Sequence, residues 1–276
     1  MASIAWPSPP PTPPPHLPNP RPRALTLPLI QIADIPQHTA AQSSSLLLQR
    51  LPLELRQEIW RLVLGGSTIY FCHADGSKFS GHVCDGPGHA CFFGGSVRTS
   101  GANRAKRLPL LLTCRQIYTE GIDLLYANTT FNIDEGPFFQ DTLAELPQLL
   151  LPQRLACIRS LNLRRSIQTV RHDVTKTVGF PTSRWETLWE IIASMRQLQH
   201  LSVDFFEDDF LHGWGDTAIL ESEHAPLEEL IIAPIEEMPV LLKSFYLSVP
   251  WPVTREVEIA GKRWRIQTSN RDWAGF

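Results

Sequence analysis

Two stretches decide the fold of this chain: LPLELRQEIWRLVL at residues 51–64 and LLLTCRQIYTE at residues 110–120. The first contains Pro52, which favours the start of a helix because the missing N–H of proline needs no partner there. Apolar residues then recur every three or four positions and form one stripe: Leu51, Leu55, Ile59, Leu62 and Val63. Because Gly65 and Gly66 follow, we predict an amphipathic helix that ends before them.

The second stretch repeats this spacing in Cys114, Ile117, Gly121, Leu124 and Leu125. Gly121 carries no side chain, so another element can approach closely at that position. The pattern predicts a second amphipathic helix. Spacing alone leaves open whether these are two ordinary core helices.

The wording of the two stretches is more specific than their spacing. Together they resemble an F-box, in the form found in F-box-like domain-of-unknown-function proteins of filamentous fungi. The resemblance covers residues 46–165 and extends more weakly to about residue 235. It implies that the Leu-Pro helix docks on the Skp-type adaptor of a cullin ubiquitin ligase, with the Cys114-Arg115 helix packed behind it. The docking residues that it implies are Leu51, Pro52, Leu55 and Ile59.

An F-box is normally continuous, whereas residues 65–107 separate its two halves here. STIYFCH at 67–73 and KFSGHVC at 78–84 flank Asp75-Gly76, a dipeptide that favours a tight turn between strands, so we predict a β-hairpin. The same segment concentrates thiol and imidazole groups, which are the ligands of structural zinc sites. The candidate zinc ligands are Cys72, His82, Cys84, His89 and Cys91. Their irregular spacing leaves scattered hairpin and loop residues as the alternative.

The C-terminal half carries a weak repeat of the form L-x-x-L-x-L, in IRSLNL at 158–163, LQHLSV at 198–203 and LEELII at 227–232. A helix pattern lies between the first two copies and ends near Met195. We predict strands joined by right-handed parallel crossovers, as in a small, irregular leucine-rich-repeat-like α/β sheet. Near the C-terminus, alternation from Val257 to Ile266 predicts a second hairpin, and Trp251, Trp264 and Trp273 are predicted to cover the end of the sheet.

In F-box proteins, a repeat domain on the C-terminal side captures the client protein, and the resemblance implies the same arrangement here. Charged residues that lie along or after two of the predicted strands are therefore candidate client-binding residues: Asp204, Asp208, Asp209, Arg164 and Arg165. Solvated loop charge is the alternative interpretation of this group.

Composition limits the functions that the chain can have. Its net charge of −3 gives no general attraction to nucleic acid or anionic membranes. It has no apolar run long enough to span a bilayer and no secretory leader, so we expect an intracellular protein of the cytoplasm or nucleus with reduced cysteines. Residues 1–45 are rich in proline, which predicts a disordered tail.

No catalytic or phosphate-binding motif is present, so we expect no enzymatic activity. The sequence therefore predicts an α+β protein with a tail at 1–45, an F-box-like helical region at 46–150 with a hairpin insertion at 65–107, and an α/β region at 151–276. Two functions stay open. One is an F-box-like adaptor that links a Skp-type protein to an unknown client. The other is a stand-alone structural or recognition domain without adaptor binding, with or without a supporting zinc ion. Exposure of the apolar face of residues 51–63 would favour the first.

Overall fold

A seven-stranded sheet forms the centre of the protein in the computed structural model, which describes residues 42, 44–74, 78–84, 108–135, 142–168, 170–171, 185–207 and 221–268. The helices are α1 (Leu46–Arg50), α2 (Leu53–Leu64), α3 (Leu108–Leu111), α4 (Arg115–Ala127), α5 (Thr142–Leu149), α6 (Pro152–Leu155), α7 (Trp185–Ser194) and α8 (Glu221–Glu236). The strands are β1 (Ser67–Ala74), β2 (Lys78–Cys84), β3 (Thr129–Glu135), β4 (Ser160–Ser166), β5 (His200–Phe206), β6 (Ser244–Val249), β7 (Glu256–Ile259), β8 (Lys262–Arg265) and β9 (Gln267–Thr268). Helices beside a mostly parallel sheet confirm the predicted α+β class.

The two helices predicted from residues 51–64 and 110–120 are present as α2 and α4, and they pack against each other. Pro52 is the cap residue of α2, and the Gly65 N–H donates to the Arg61 carbonyl at 3.0 Å, where the helix ends. A side chain at Gly121 of α4 would place its Cβ 2.9 Å from Leu64 Cδ1 and 3.1 Å from Leu111 Cδ2. The close approach predicted at Gly121 is therefore confirmed, since a larger residue there would displace the side chains of Leu64 on α2 and Leu111 on α3.

The segment between the two helix signatures supplies the first strands of the sheet. β1 pairs antiparallel with β2, which confirms the predicted hairpin, and on its other side β1 pairs parallel with β3. Parallel neighbours need a crossover connection, and α3 and α4 lie on the connection between β1 and β3. The predicted helical region ends at residue 150 and the predicted α/β region begins at residue 151. Residues of both regions share the sheet, because β3 pairs with β4.

The parallel strands stand side by side in the order in which they occur along the chain, β1-β3-β4-β5-β6-β9. A chain that always steps in the same direction, with right-handed crossovers, places its connecting helices on one face of the sheet. The main core accordingly joins alternate strand residues, such as Leu163, Val203 and Leu247, to apolar residues of α5, α7 and α8. The opposite face carries the other set of alternating side chains.

The third predicted repeat strand is wrong. LEELII at 227–232 lies inside α8, and the strand that follows β5 in the sheet is β6. Leu227, Ile231 and Ile235 are buried at a spacing of four, which suits one side of a helix, whereas a strand would bury every second residue. The first two copies are strands, β4 and β5, and they pair in parallel as predicted.

Helix α8 continues through Pro234 because a neighbouring side chain replaces a lost hydrogen bond. Proline has no N–H, so the Leu230 carbonyl four residues earlier loses its helical donor. The indole Nε1–H of Trp185 donates to that carbonyl at 3.0 Å. This bond ties α7 to α8 at the turn where Pro234 removes a helical hydrogen bond.

A second hairpin forms near the C-terminus, as predicted. β7 and β8 pair antiparallel around Ala260 and Gly261, whose φ angles of 48° and 78° are those of a tight two-residue turn. Trp251, predicted to cover the end of the sheet, is buried against α8, where its Nε1–H donates to Glu228 Oε1 at 2.8 Å and its ring stacks on His224. Trp264 is partly buried against the same core, and Trp273 lies outside the described residues.

Across the described part of the chain, every helix is either too short or too polar to span a bilayer.

Candidate interaction surfaces

One carboxylate on α4 accepts hydrogen bonds from the inner side of helix α2. Glu120 accepts two hydrogen bonds from Arg56, at 2.9 Å from Nε and 2.8 Å from Nη2. It also accepts from the indole Nε1–H of Trp60 at 3.1 Å and from Gln116 Nε2 at 3.0 Å. A planar guanidinium that meets a carboxylate through two parallel bonds fixes both distance and angle. Glu120 therefore sets the orientation of α2 on α4.

Arg56 extends this network to the residues that precede α2. Its Nη1 donates to the Leu51 carbonyl at 2.6 Å and to the Leu48 carbonyl at 3.2 Å. These carbonyls belong to the end of α1 and to the link before Pro52, so the guanidinium fixes the turn between α1 and α2.

The network also perturbs the ionisation of its two charged members. Burial raises the pKa of Glu120, but the hydrogen bonds from Arg56, Trp60 and Gln116 and the Arg56 charge outweigh it, and the net pKa lies below its ordinary value. The hydrogen bond to Glu120 raises the pKa of Arg56 further above its already high value. Both groups therefore stay charged at neutral pH.

Several apolar side chains of α2 are open to solvent, beside the exposed charged residues Glu54, Glu58 and Arg61. Leu53, Leu55, Leu62 and Val63 are 43%, 54%, 76% and 43% exposed, whereas Trp60 and Leu64 on the inner side are buried. Among the predicted docking residues, Pro52 is also exposed, and Leu51 and Ile59 are half-buried. Leu46, Leu108 and Leu112, on or beside α1 and α3, add further exposed apolar side chains. Leu55, Leu62 and Val63 lie on one side of the helix, and we call these three exposed residues the α2 face.

The second surface is the sheet face away from the helices, which we call the open face. It carries the alternate strand residues in rows that run across the strands. One row is Tyr70, Asn132, Asn162, Ser202 and Tyr246, and another is Thr130, Ser160, His200 and Ser244. Lateral hydrogen bonds join neighbours within the rows, from Asn162 Nδ2 to Asn132 Oδ1 at 2.7 Å and between His200 Nδ1 and Ser244 Oγ at 2.7 Å.

A third row on the open face contains two of the predicted client-binding residues. Arg164 and Asp204 are partners in the sheet register, with Arg164 Nε 3.6 Å from Asp204 Oδ2, and the Ser248 hydroxyl donates to Asp204. The Arg164 guanidinium also lies over the Phe206 ring, 4.2 Å from its centroid. The structure thus brings Arg164 and Asp204 together as an ion pair, and Phe206, in the next row of the same face, is a neighbour of this pair that we did not predict.

Arg165 was predicted as a client-binding residue, but it does not lie at an accessible position. Arg165 points to the helix side, where its side chain is fully buried and forms an ion pair with Glu135, itself 3% exposed. Strand residues alternate between faces, so Arg164 and Arg165 cannot share one. Glu135 also accepts from the Leu143 N–H at the start of α5, at 3.2 Å. The buried pair joins β3, β4 and α5.

The remaining predicted site residues are not placed by the structure. Asp208, Asp209, His89 and Cys91 lie outside the described residues, as do the side chains of Cys72, His82 and Cys84. Among the side chains that are described, no group of three His, Cys, Asp or Glu residues is arranged to hold a metal ion.

A groove of about 570 Å³ lies between α5, α6 and α7. Leu150, Leu155 and Ile191 form its apolar floor, and Glu190 and Arg196 contribute one charge of each sign. This mixture gives the groove no preference for an anion or a cation.

Comparison with protein-family models places the chain. Residues 40–269 match the model of a domain of unknown function (DUF7730), and because this match spans most of the 276 residues, the chain belongs to that family. Searches of curated proteins and of solved structures gave no significant match.

Proposed function

We propose that this member of the DUF7730 family is a non-enzymatic, F-box-like interaction protein that docks on a Skp-type adaptor of a cullin ubiquitin ligase through the α2 face. In this role the chain presents a client protein, bound elsewhere on its surface, to the ligase. The exposure of the α2 face is the observation that supports the proposal most strongly. An apolar helix face left open to water is typical of a protein-binding surface.

The exposed apolar residues are concentrated in one part of the molecule. Seven of the nine exposed large hydrophobic side chains in the described part of the chain lie on or beside α1, α2 and α3. Singly scattered apolar residues are normal on protein surfaces, whereas a concentration of this kind marks an interaction site.

The helix that carries this surface is rigidly supported. Glu120 and Arg56 fix its orientation, and Trp60 and Leu64 anchor its inner side in a small core. A surface that is already ordered loses little conformational entropy when a partner binds. Helices α2 and α4 pack against each other although strands are inserted between them in the chain, since Gly121 lets Leu64 approach α4 closely.

Purified full-length chain should bind a purified Skp-type adaptor in a direct titration, for example by isothermal calorimetry. We expect Leu55→Asp to weaken binding by about tenfold or more, because it places a charge in an apolar interface. Leu241→Asp is the matched control, since Leu241 is 79% exposed outside the helical part, and it should bind like the wild type. Absence of adaptor binding, or equal loss in both variants, would overturn the proposal.

The alternative function, a stand-alone recognition domain supported by zinc, makes a separate prediction. Purified protein would then contain about one zinc ion per chain, the content of one closed structural site. A content below about 0.2 zinc per chain would remove the zinc part of this alternative.

A further inference from the structure

The open face is unusual for a parallel sheet. Parallel strands are normally covered by helices on both sides and therefore consist of continuous apolar residues. Here β5 buries alternate residues only, and β4 and β6 do so as far as Arg165 and Leu247, after which Ser166 and Ser248 are buried as well. Over the alternating length, the open face presents Asn, Ser, Tyr, His and Arg side chains instead. Because the strand order places the crossover helices on one side, the described part of the chain leaves a broad polar surface on the other.

The central row of this surface, from Tyr70 through Asn162 to Tyr246, carries no formal charge. In the next row Arg164 stands between Asp134 and Asp204 in the register, and it is paired with Asp204, which also accepts from Ser248. The two rows therefore have no surplus of positive charge. Binding to a nucleic-acid backbone depends on a surplus of Lys and Arg, which this surface does not have. A strongly charged peptide would likewise gain little from it.

The central groups match an uncharged polypeptide backbone. Asn162 and Ser202 lie in the middle of the open face, and amide and hydroxyl side chains both donate and accept hydrogen bonds, as peptide groups do. The lateral bond from Asn162 to Asn132 holds these groups in place before any partner arrives. At the margin, Tyr246 is 38% exposed and offers an aromatic ring for a side chain of the partner.

We propose that the open face binds an extended, uncharged peptide segment of the client protein, laid across strands β3 to β6. This deepens the proposed function by naming the chemistry of the client. Strands lie about 4.8 Å apart, so the four strands β3 to β6 span about 14 Å, the length of an extended peptide of about four residues. The peptide backbone meets Asn162 and Ser202, and one side chain rests on Tyr246.

The test uses the full-length chain and a displayed library of random seven-residue peptides. The peptides selected are synthesised with a fluorescent label and titrated against the chain by fluorescence anisotropy. We expect selected sequences with little net charge, and we expect Ser202→Arg to weaken their binding by about tenfold or more, because it places a long charged side chain in the centre of the face. Tyr246→Ala should weaken binding by about fivefold through loss of a rim contact.

Ser194→Arg is the matched control, because Ser194 is exposed on α7, on the helix side of the sheet. It should bind selected peptides like the wild type, and circular dichroism melting shows whether each variant is folded. The proposal is overturned if selection yields no peptide that prefers the wild type over Ser202→Arg, if Ser194→Arg loses binding equally, or if a glycan array yields ligands while the peptide library does not.

Failure of this proposal is distinguishable from failure of adaptor docking. Leu55→Asp changes the α2 face and should leave peptide affinity unchanged, whereas Ser202→Arg should leave adaptor affinity unchanged. Peptide binding without adaptor binding would support a stand-alone recognition domain.

Discussion

The helical part, which comprises helices α1 to α4, and the sheet part, which comprises the strands and helices α5 to α8, expose opposite kinds of surface. The helical part has a small core and turns leucines outward from α2, while a polar network of Arg56, Trp60 and Glu120 lies on the inner side of that helix. The sheet part has a large apolar core and turns amides and hydroxyls outward. The contrast teaches that a helix can expose apolar side chains to solvent while its other side is anchored in a core.

The two parts also use their ion pairs differently. Glu135 and Arg165 are almost fully inaccessible in the sheet part, whereas Glu120 and Arg56 keep partial contact with solvent in the helical part. Removing one member of a pair leaves the other charge without its partner, and the cost grows with burial. Changes to these pairs therefore measure how differently the two parts are built.

The largest effect is expected in the sheet part. Glu135→Ala leaves the buried Arg165 without its carboxylate and should lower the free energy of unfolding by about 3–5 kcal/mol. Urea titration followed by circular dichroism measures the change. Glu229→Ala is the control, because its pair with Arg255 is exposed, and it should cost about 0.5 kcal/mol or less. Equal costs for the two variants would show that burial does not distinguish the pairs.

In the helical part, Glu120→Gln should lower the free energy of unfolding by about 1.5–3 kcal/mol at pH 7, since hydrogen bonds to a charged group are lost or weakened. The pKa of Glu120 is depressed in the folded state, so its stabilisation is fully present above the ordinary glutamate pKa of about 4.3 and is lost as pH falls through the folded value.

The variant should therefore lose less stability than the wild type between neutral and acidic pH, in urea titrations at several pH values. Glu58→Gln, which alters an exposed pair with Arg61, should keep the wild-type pH dependence. If Glu120→Gln lost as much stability as the wild type between neutral and acidic pH, ionised Glu120 would not be the group that stabilises the helical part.

A smaller effect is expected at the contact between α7 and α8. Trp185→Phe removes the N–H that satisfies the Leu230 carbonyl, while Pro234→Ala restores the helical donor for the same carbonyl. In a double-mutant cycle, the cost of Trp185→Phe should be lower by about 1 kcal/mol when residue 234 is alanine. Additive costs would show that Trp185 does not compensate for Pro234.

The smallest effect is expected on the α2 face. Leu62→Ala should change the free energy of unfolding by about 0.5 kcal/mol or less, because Leu62 is 76% exposed. Leu64→Ala, two residues further on the buried side, should cost about 2–5 kcal/mol. Thermal and urea unfolding of the two variants would sharpen the comparison, and a large cost at Leu62 would mean that the α2 face contributes to the core.

Much of the fold could be predicted from local patterns. The spacing around Leu55 and Ile117 predicted α2 and α4, and Asp75-Gly76 predicted the β1–β2 hairpin. LEELII at 227–232 gave a wrong prediction of a strand, because a short apolar run suits either a strand or a helix. Burial of the neighbouring Ile235 and the contacts of the core decide in favour of the helix.

The candidate surfaces were harder to predict. The stripe on α2 was identified, but the pattern did not reveal which side is buried, because Glu120 lies far along the chain from Arg56 and Trp60. The open face did leave a signal. Leu161-Asn-Leu163-Arg and Leu201-Ser-Val203-Asp alternate strictly, which a parallel strand covered on both faces would not do.

The position of β1 in the sheet bears on how this chain tolerates deletion. Joining residue 64 directly to residue 108 would make the sequences of α2 and α3 continuous, yet it would also remove β1 and β2, the two strands outside β3. β3 would then be a bare edge with unpaired N–H and C=O groups, and such edges recruit strands from other molecules. The shortened protein would be prone to aggregate.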